Sequence, residues 1–518
     1  MAVKDSQISA TKTISVVMVL VVFAKISGLL RNMVIMSLLG TQSTEAAAFT
    51  FASFLPRNFL DAAFAAAISA GFIPVFNKVL EQKTKEEAFD LARNFITFVG
   101  IVSLAVSVIG FFSVQMIAGV HFGADEVYAT YMGAGLLQIM IFTMFFTSIA
   151  FALVGLSQSL GGFYIPSLMS LLSNVVIIAY LLLFFEDGGV TGLAFAFVIG
   201  NILQVLIFWL PLRRRGFFYR PKLNLKDEGL RQILRLTPMV MVSSWLFPLT
   251  AMLNGALAAR ANPAYFVELE AASVIYLVLT GMFILSVTNV VFPKLSKEAA
   301  RDDEMSEFRK TLTGAVSGMT FLLLPMSAGI FILREPIVRL LFERGEFTPE
   351  ATSRAAFALG ILAVSIIGYG LVSIMSRAFF ATRDGKTPMF ITIAAIVLNF
   401  LVVIGFVEIL GIGGPALAAA VSVNFAGFVM YGILAKRLKI LDKPAALNFA
   451  KMLLCTAIML LVLIFIEPLV SNWHDIFSLA LITILGVAIY FVAAVVLGIK
   501  EAGLAKSLIF GGKGAKDE

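Results

Sequence analysis

Apolar stretches about as long as a bilayer crossing recur along nearly the whole chain, and short polar breaks separate them. A helix needs roughly 20 apolar residues to cross a hydrocarbon core about 30 Å thick. The runs predict about fourteen membrane-spanning helices, numbered here in order, near residues 13–39, 45–79, 87–114, 127–158, 163–185, 190–212, 234–259, 266–293, 308–333, 350–378, 386–409, 412–436, 447–470 and 477–499. The pattern therefore predicts an all-α polytopic membrane protein with no soluble domain of ordinary size.

Composition narrows the function classes. Of the 518 residues, 60% are hydrophobic and 14% are charged, against roughly a quarter charged in soluble domains. The single Cys455 cannot form an internal disulfide, and His121 and His474 are too few for an ordinary zinc site. A membrane-embedded enzyme would need converging carboxylates or histidines, which the sequence does not offer. We therefore expect a transporter without a cofactor rather than an enzyme.

The basic residues indicate an orientation. Lys and Arg near the membrane stay on the cytoplasmic side, and here they cluster after even-numbered predicted helices, within 78–85, 213–226, 294–301, 383–386, 436–443 and 500–516. The opposite loops are mainly acidic, with one mixed exception at 334–350. Both termini are predicted to face the cytoplasm. This topology also explains the net charge of +7, so no nucleic-acid partner is expected.

The chain also repeats itself at an offset of about 220 residues. Proline and glycine positions recur in pairs at this spacing: Pro74 with Pro293, Pro166 with Pro388, and Gly192 with Gly414. Because each copy would contain six helices, an even number, the two repeats should run parallel. The predicted organisation is an N-lobe at 1–226, a C-lobe at 227–440, and two further helices with a basic tail at 441–518.

Five short segments give the chain a family resemblance. In order they are Ser27–Arg31 (SGLLR), Gly71–Pro74 (GFIP), Phe292–Ser296 (FPKLS), Leu341–Thr348 (LFERGEFT) and Arg383–Pro388 (RDGKTP). In this order and spacing they resemble the MurJ (MviN) lipid II flippases, a branch of the multidrug, oligosaccharidyl-lipid and polysaccharide (MOP) exporter superfamily. The resemblance runs from about residue 13 to 440.

The resemblance implies a MATE-like fold and a function in peptidoglycan biosynthesis. Such proteins flip lipid II, the undecaprenyl-pyrophosphate-linked precursor of the cell wall, from the inner to the outer leaflet of the bacterial inner membrane. They work by alternating access through a cationic cavity, and their helices 13 and 14 form a groove for the lipid tail. The implied partners are lipid II, membrane lipids and the peptidoglycan synthesis machinery. The implied driving force is the membrane potential or a monovalent cation, and a monomer suffices because one chain holds both lobes.

Charged residues inside predicted helices are functional candidates because burying them in a bilayer costs a few kcal/mol. Lys25 and Arg31 lie within predicted helix 1, and Arg57 lies just after Pro56 in predicted helix 2. That second run is long enough to need a break or a steep tilt, and Pro56 is the expected place for a break. A transported pyrophosphate needs cations to replace its hydration, and the fork of arginine can grip phosphate bidentately. Lys25, Arg31 and Arg57 are therefore the predicted pyrophosphate-binding residues. Asp61 is spaced to pair with Arg57 at i,i+4, so an internal ion pair is the competing interpretation.

The family pattern matches these cations only in part. Arg31 falls on a characteristic cavity arginine, and Lys25 takes the place of another, which keeps the charge but loses the fork. The family's helix 2 arginine aligns with Leu60, and its helix 8 arginine aligns near Val274, where no basic residue is close. The resemblance therefore implies a cationic cavity with fewer charges than usual.

Two acidic residues also match family positions and are predicted to support or gate transport. Glu45 lies at the outer end of predicted helix 2, and Asp384 lies between predicted helices 10 and 11. For Asp384, capping of helix 11 is the competing and favoured interpretation, because the first backbone N–H groups of a helix need acceptors.

Two other functions stay open. The missing helix 8 arginine favours an ion-coupled exporter of another lipid-linked glycan or of a small molecule. A catalytically silent scaffold for cell-wall synthesis would have similar helices, but it would tolerate loss of all three cations.

Overall fold

The structure is a computed structural model that describes residues 2–123, 125–299, 305–439, 443–470 and 475–503. Within these ranges it describes side chains except at 2–15, 18, 59–67, 69–70, 236, 239–240, 243, 282, 285–286, 289–290, 293 and 443. The regular elements of the described ranges are all helical.

Contacts divide the chain into two compact units. Unit 1 comprises Met1–Val267 with Arg344–Phe347, and unit 2 comprises Glu268–Glu343 with Thr348–Glu518. The helices whose residues fall in unit 1 are α1 (Ala2–Leu39), α2 (Thr44–Ala67), a π-helix (Ile68–Phe72), α3 (Ile73–Gln82), α4 (Lys85–Phe122), α5 (Val127–Met140), α6 (Thr143–Ser159), α7 (Tyr164–Leu183), α8 (Phe185–Leu206), α9 (Trp209–Arg214), α10 (Glu228–Ser244) and α11 (Leu246–Ala261).

The next helix, α12 (Pro263–Ala299), begins in unit 1 and continues into unit 2. The remaining helices of unit 2 are α13 (Ser306–Phe342), α14 (Pro349–Ala363), α15 (Ile366–Ala381), α16 (Lys386–Leu410), α17 (Gly413–Leu438), α18 (Lys443–Val470) and α19 (Asp475–Val496).

The core of unit 1 is aromatic. Phe72, in the π-helix, stacks on Phe95 of α4 with ring centroids 4.6 Å apart, and Phe76 packs beside it. All three rings are buried. Gly155 of α6 lets this layer close, because a Cβ there would lie 2.5 Å from a methyl of Ile68. The π-helix is thus locked into the packing of α3, α4 and α6.

In unit 2, α15 and α17 pack backbone against backbone. A Cβ on Gly427 would lie 2.7 Å from the carbonyl oxygen of Gly368. Conversely, a Cβ on Gly368 would lie 2.6 Å from the Cα of Asn424. Small residues are the usual means by which membrane helices approach this closely.

The predicted fold class is confirmed, and the helix count is resolved in part. Eleven helical segments of the described chain are long and apolar enough to cross a membrane, and α14 with α15, bent by 46°, would make a twelfth. The other two predicted runs correspond to α2–α3 and α10–α11, which are helical but interrupted. The helix α2 continues through Pro56, and the interruption lies instead at Ile68–Phe72. Fourteen spans and the two parallel repeats stay predictions.

The glycine contact predicts which substitutions in α17 destabilise the protein. Gly427→Ala should lower the melting temperature of the detergent-purified protein, because overpacking a tight contact costs about 1–3 kcal/mol. Gly432→Ala is the matched control on the same helix, since nothing lies within 4 Å of its added Cβ. Equal melting temperatures for the two variants would contradict the close approach of α15 and α17.

Candidate functional site

Arg31 is the predicted cation that unit 1 positions most firmly. Its Nη1 donates to Oδ1 of Asn174 at 3.1 Å, while Nε and Nη2 donate to Oδ1 of Asn32 at 3.2 and 3.0 Å. Asn174 lies on α7, which packs along α1. Amide oxygens orient a guanidinium without carrying a charge of their own. Arg31 therefore has a fixed direction inside a helical bundle.

Asn174 is itself fixed by α1. It is buried, with 5% of its surface exposed, and its Nδ2 donates to Oγ of Ser27 at 2.9 Å. Gly28 lies against it, and a Cβ there would be 3.4 Å from Nδ2, an ordinary van der Waals contact. The SGLLR segment thus supplies a hydroxyl and a cation on one helix, both of which contact a single asparagine.

An aromatic ring completes the surroundings of Arg31. The guanidinium carbon lies 5.4 Å from the ring centroid of Phe197 on α8, within range of a cation–π interaction. Phe197 in turn packs edge to face on Phe49 of α2, with centroids 5.4 Å apart. Arg31 is therefore in contact with α7 and α8, and the ring beneath it is held by α2.

Lys25 is placed differently from Arg31. It lies on the same helix, about 9 Å away along the axis at 1.5 Å per residue, and its side chain is exposed. The lysine is therefore an exposed point charge on α1, whereas the arginine is held by neighbouring helices.

The other predicted residues of unit 1 lie on α2. Arg57 is exposed, and its guanidinium carbon lies 5.8 Å from the ring centroid of Phe54. Asp61 lies outside the residues whose side chains are described, so its pairing with Arg57 stays a prediction. Glu45 is half-buried in the first turn of α2, where a carboxylate is favoured by the helix dipole.

Asp384 belongs to unit 2, and its carboxylate connects the start of α16 to the end of α17. Its Oδ1 accepts the backbone N–H of Thr387 at 3.0 Å, which caps the first turn of α16. Its Oδ2 accepts the Thr387 hydroxyl at 2.7 Å and pairs with Nη1 of Arg437 on α17 at 2.6 Å. The structure thus assigns Lys25, Arg31, Glu45 and Arg57 to unit 1 and Asp384 to unit 2.

Sequence reasoning missed Asn174 and Phe197, the two residues from other helices that hold Arg31. Both are neutral residues inside apolar runs, so nothing in the pattern distinguishes them from packing residues. Only the demand that a membrane arginine have polar neighbours would have directed a search for an asparagine on another helix.

It also missed a buried ion pair in unit 2. Glu268 of α12 is fully buried, and its carboxylate receives Nε of Arg354 on α14 at 2.9 Å and Nη2 at 2.7 Å. A buried carboxylate requires such a partner. The sequence did contain a signal for this pair. Glu268 lies near the start of predicted helix 8 and Arg354 near the start of predicted helix 10, and both of these helices enter the membrane from the same side.

The Asp384 contacts predict a pH dependence of stability. Partial burial alone would raise the pKa of Asp384, but hydrogen bonds from Arg437 and Thr387 outweigh it and hold the pKa below the ordinary value of 3.8. The stabilisation is therefore complete at neutral pH and is lost as the pH falls from about 3.8 through the lowered pKa. Asp384→Asn should lower the melting temperature at neutral pH, by the equivalent of about 1 kcal/mol or less for a pair this exposed.

The same variant provides its own control at acid pH. The difference in melting temperature between the parent and Asp384→Asn should shrink on acidification, because the parent carboxylate then loses its charge. A difference that is constant or grows on acidification would contradict the role of the ionised pair.

Comparison with known proteins identifies the family. The family model described as "Lipid II flippase MurJ" matches residues 35–496 of this chain. A probable lipid II flippase MurJ of Thermotoga maritima is 29% identical over 419 residues, covering 79% of this chain and 81% of that protein. The protein of the same description from Haemophilus influenzae is 25% identical over 508 residues, covering 92% of this chain and 98% of that protein.

Solved structures show the same fold. A lipid II flippase MurJ in an inward closed conformation superposes with a TM-score of 0.76 at 22% identity, covering 93% of this chain and 98% of that one. An inward-facing multidrug resistance MATE family transporter of the MOP superfamily superposes with a TM-score of 0.66 at 16% identity, covering 80% and 94%. Because the family model spans most of the sequence, the chain belongs to the lipid II flippase MurJ family, whose members are multi-pass proteins of the inner membrane.

Proposed function

We propose that this chain flips lipid II from the inner to the outer leaflet of the bacterial inner membrane by alternating access. The observation that supports it most is the family match over residues 35–496. The contacts of Arg31 supply the physical counterpart, since a lipid-linked pyrophosphate can cross the membrane only if cations replace its water. The protein is a transporter and not an enzyme.

We infer that Arg31 grips the pyrophosphate and that Lys25 assists. A guanidinium with a fixed direction presents its fork at one angle, which favours bidentate contact with two phosphate oxygens. The flexible ammonium of Lys25, about two turns of α1 away, can follow the second phosphate as the lipid moves. Arg57 on α2 is the third proposed contact, with Glu45, Asp61 and Asp384 as supporting or gating residues.

An exporter of another lipid-linked glycan is the second candidate, and one observation favours it. By the family resemblance, the helix 2 arginine aligns with Leu60 and the helix 8 arginine aligns near Val274, where no basic residue is close. Fewer cations would suit a cargo with less negative charge. The MATE-like fold is compatible with either cargo, because a fold does not determine a substrate.

We further propose that both termini face the cytoplasm, because the basic loops lie on one side of the predicted helices. One chain would suffice for transport, driven by the membrane potential or a monovalent cation. Contact with the peptidoglycan synthesis machinery would deliver the flipped precursor to its consumers.

Loss of the Arg31 charge tests the proposed function. In a bacterium depleted of its own lipid II flippase, the parent chain should restore growth and surface exposure of labelled lipid II, and Arg31→Ala should not. Loss of a charge-assisted contact costs about 1.5–3 kcal/mol, so transport should fall tenfold or more at matched expression. Arg220→Ala, which removes an exposed arginine, is the control. Rescue by Arg31→Ala would contradict the cationic mechanism.

A second variant separates positioning from stability. Asn174→Asp places a carboxylate against the Arg31 guanidinium without changing the shape of the side chain. We expect a melting temperature close to that of the parent, because the ion pair with Arg31 offsets the loss of the Nδ2–H donor to Ser27. We also expect a loss of lipid II transport, because the fixed carboxylate competes with the pyrophosphate. Retained transport with an unchanged melting temperature would mean that Asn174 only packs.

A further inference from the structure

Unit 1 also contains a groove, and Arg31 is not among the residues that line it. It runs between α4, α6 and the α8–α9 junction and encloses about 460 Å³, which is within the range of small-molecule sites. Its floor is apolar and buried, formed by Ile96, Leu153, Phe208 and Leu212. The walls are continuous with the exposed apolar side chains Ile101, Leu104 and Leu206. A ligand in the groove would therefore contact apolar side chains along most of its length.

The groove ends at a single arginine. The guanidinium carbon of Arg213, on α9, lies 4.6 Å from the Trp209 ring centroid and 5.6 Å from that of Phe218. Within the part of the chain that the structure describes, no carboxylate forms an ion pair with Arg213. The rings of Trp209 and Phe218 thus orient the Arg213 guanidinium at the mouth of the apolar groove.

Hydroxyl groups lie at the same mouth. The Tyr219 hydroxyl and Thr97 Oγ1 are 3.1 Å apart, and both residues line the groove. The nearby carboxylate of Asp90 is already held by Lys222 and Arg93, each at 2.6 Å. Thr97 Oγ1 donates to the carbonyl oxygen of Arg93 at 2.7 Å, so the Tyr219 hydroxyl donates to Thr97. The mouth therefore offers a cation beside this hydroxyl pair, while the acid next to it is neutralised.

The aromatic residues mark the mouth as a membrane boundary. Trp209 lies near the end of the apolar segment Phe185–Arg214, which is long enough to cross a bilayer, and Phe218 and Tyr219 follow that segment. Tryptophan and tyrosine collect at the level of lipid head groups. An amphiphile lying in the groove would thus have its head group at Arg213 and its chain in the hydrocarbon.

We propose that this groove is a binding site for an anionic phospholipid. An acyl chain lies along the apolar floor, and the phosphate accepts hydrogen bonds from the Arg213 guanidinium. Basic clusters at the membrane surface recognise anionic lipid head groups in this way. No carboxylate lines the groove, so the ammonium of a zwitterionic head group finds no partner there. The site is separate from the proposed lipid II contacts on α1 and α2.

Trp209 makes the proposal directly measurable, because it lines the groove. The chain has three tryptophans, so Trp245→Phe with Trp473→Phe leaves Trp209 as the only one. This protein is reconstituted into phosphatidylcholine vesicles that contain a brominated lipid, either phosphatidylglycerol or phosphatidylcholine. Quenching of Trp209 fluorescence is measured against unbrominated lipid of the same head group, which removes effects of the head group itself.

We expect brominated phosphatidylglycerol to occupy the groove about fivefold more strongly than brominated phosphatidylcholine at the same mole fraction, and so to quench Trp209 more. One basic residue near the membrane surface provides a preference of about this size. Arg213→Gln should remove this preference, whereas Arg214→Gln, an exposed neighbour in the same basic segment, should keep it. Equal quenching by the two lipids in the parent would overturn the proposal, and so would a preference that survives Arg213→Gln.

A third variant tests whether the lipid lies inside the groove rather than beside it. An added Cβ on Gly100 would be 3.8 Å from Phe145 and 3.9 Å from Ile149, which is ordinary contact, so a larger side chain there enters the groove. Gly100→Phe should lower quenching by both brominated lipids. Unchanged quenching in this variant would place the lipid outside and overturn the proposed site.

Discussion

A positive charge held inside a membrane helix is the constraint on which the structure of unit 1 depends. Burying an arginine in a bilayer is costly unless polar groups surround it. Here α7 supplies the Asn174 amide and α8 supplies the Phe197 ring. Asn174 is in turn held by Ser27 on α1. The same contacts therefore hold the charge and pack α1 against α7. A cation that is fixed in this way is suited to bind a pyrophosphate as it moves past.

Close packing of helices provides the rigid surroundings that such a site needs. In unit 1 the stacked rings of Phe72 and Phe95 fix the π-helix against α4. In unit 2 the contact between Gly368 and Gly427 brings two backbones together. In unit 2 the buried carboxylate of Glu268 has a charged partner, Arg354. Membrane helices gain little from hydrophobic association, so stability depends on such close and satisfied contacts.

The sequence predicted the fold class well because a bilayer demands long apolar runs, and helices such as α16 and α19 meet that demand plainly. It predicted the broken segments poorly. Pro56 was the expected break in α2, yet the helix continues through it, and the interruption at Ile68–Phe72 follows from packing against α4 and α6. For the site, Arg31 stood out because a charge in an apolar run is rare. Asn174 did not, since its role depends on a contact 143 residues away in sequence.

We propose that this chain moves its lipid because cations on α1 hold the pyrophosphate. The most direct measurement is translocation in vesicles containing only the purified protein, comparing fluorescent lipid II with an analogue whose pyrophosphate is replaced by a neutral linker. We expect lipid II to reach the far leaflet and the neutral analogue to stay behind. Equal translocation of both lipids, or none of lipid II by well-folded protein, would contradict the claim.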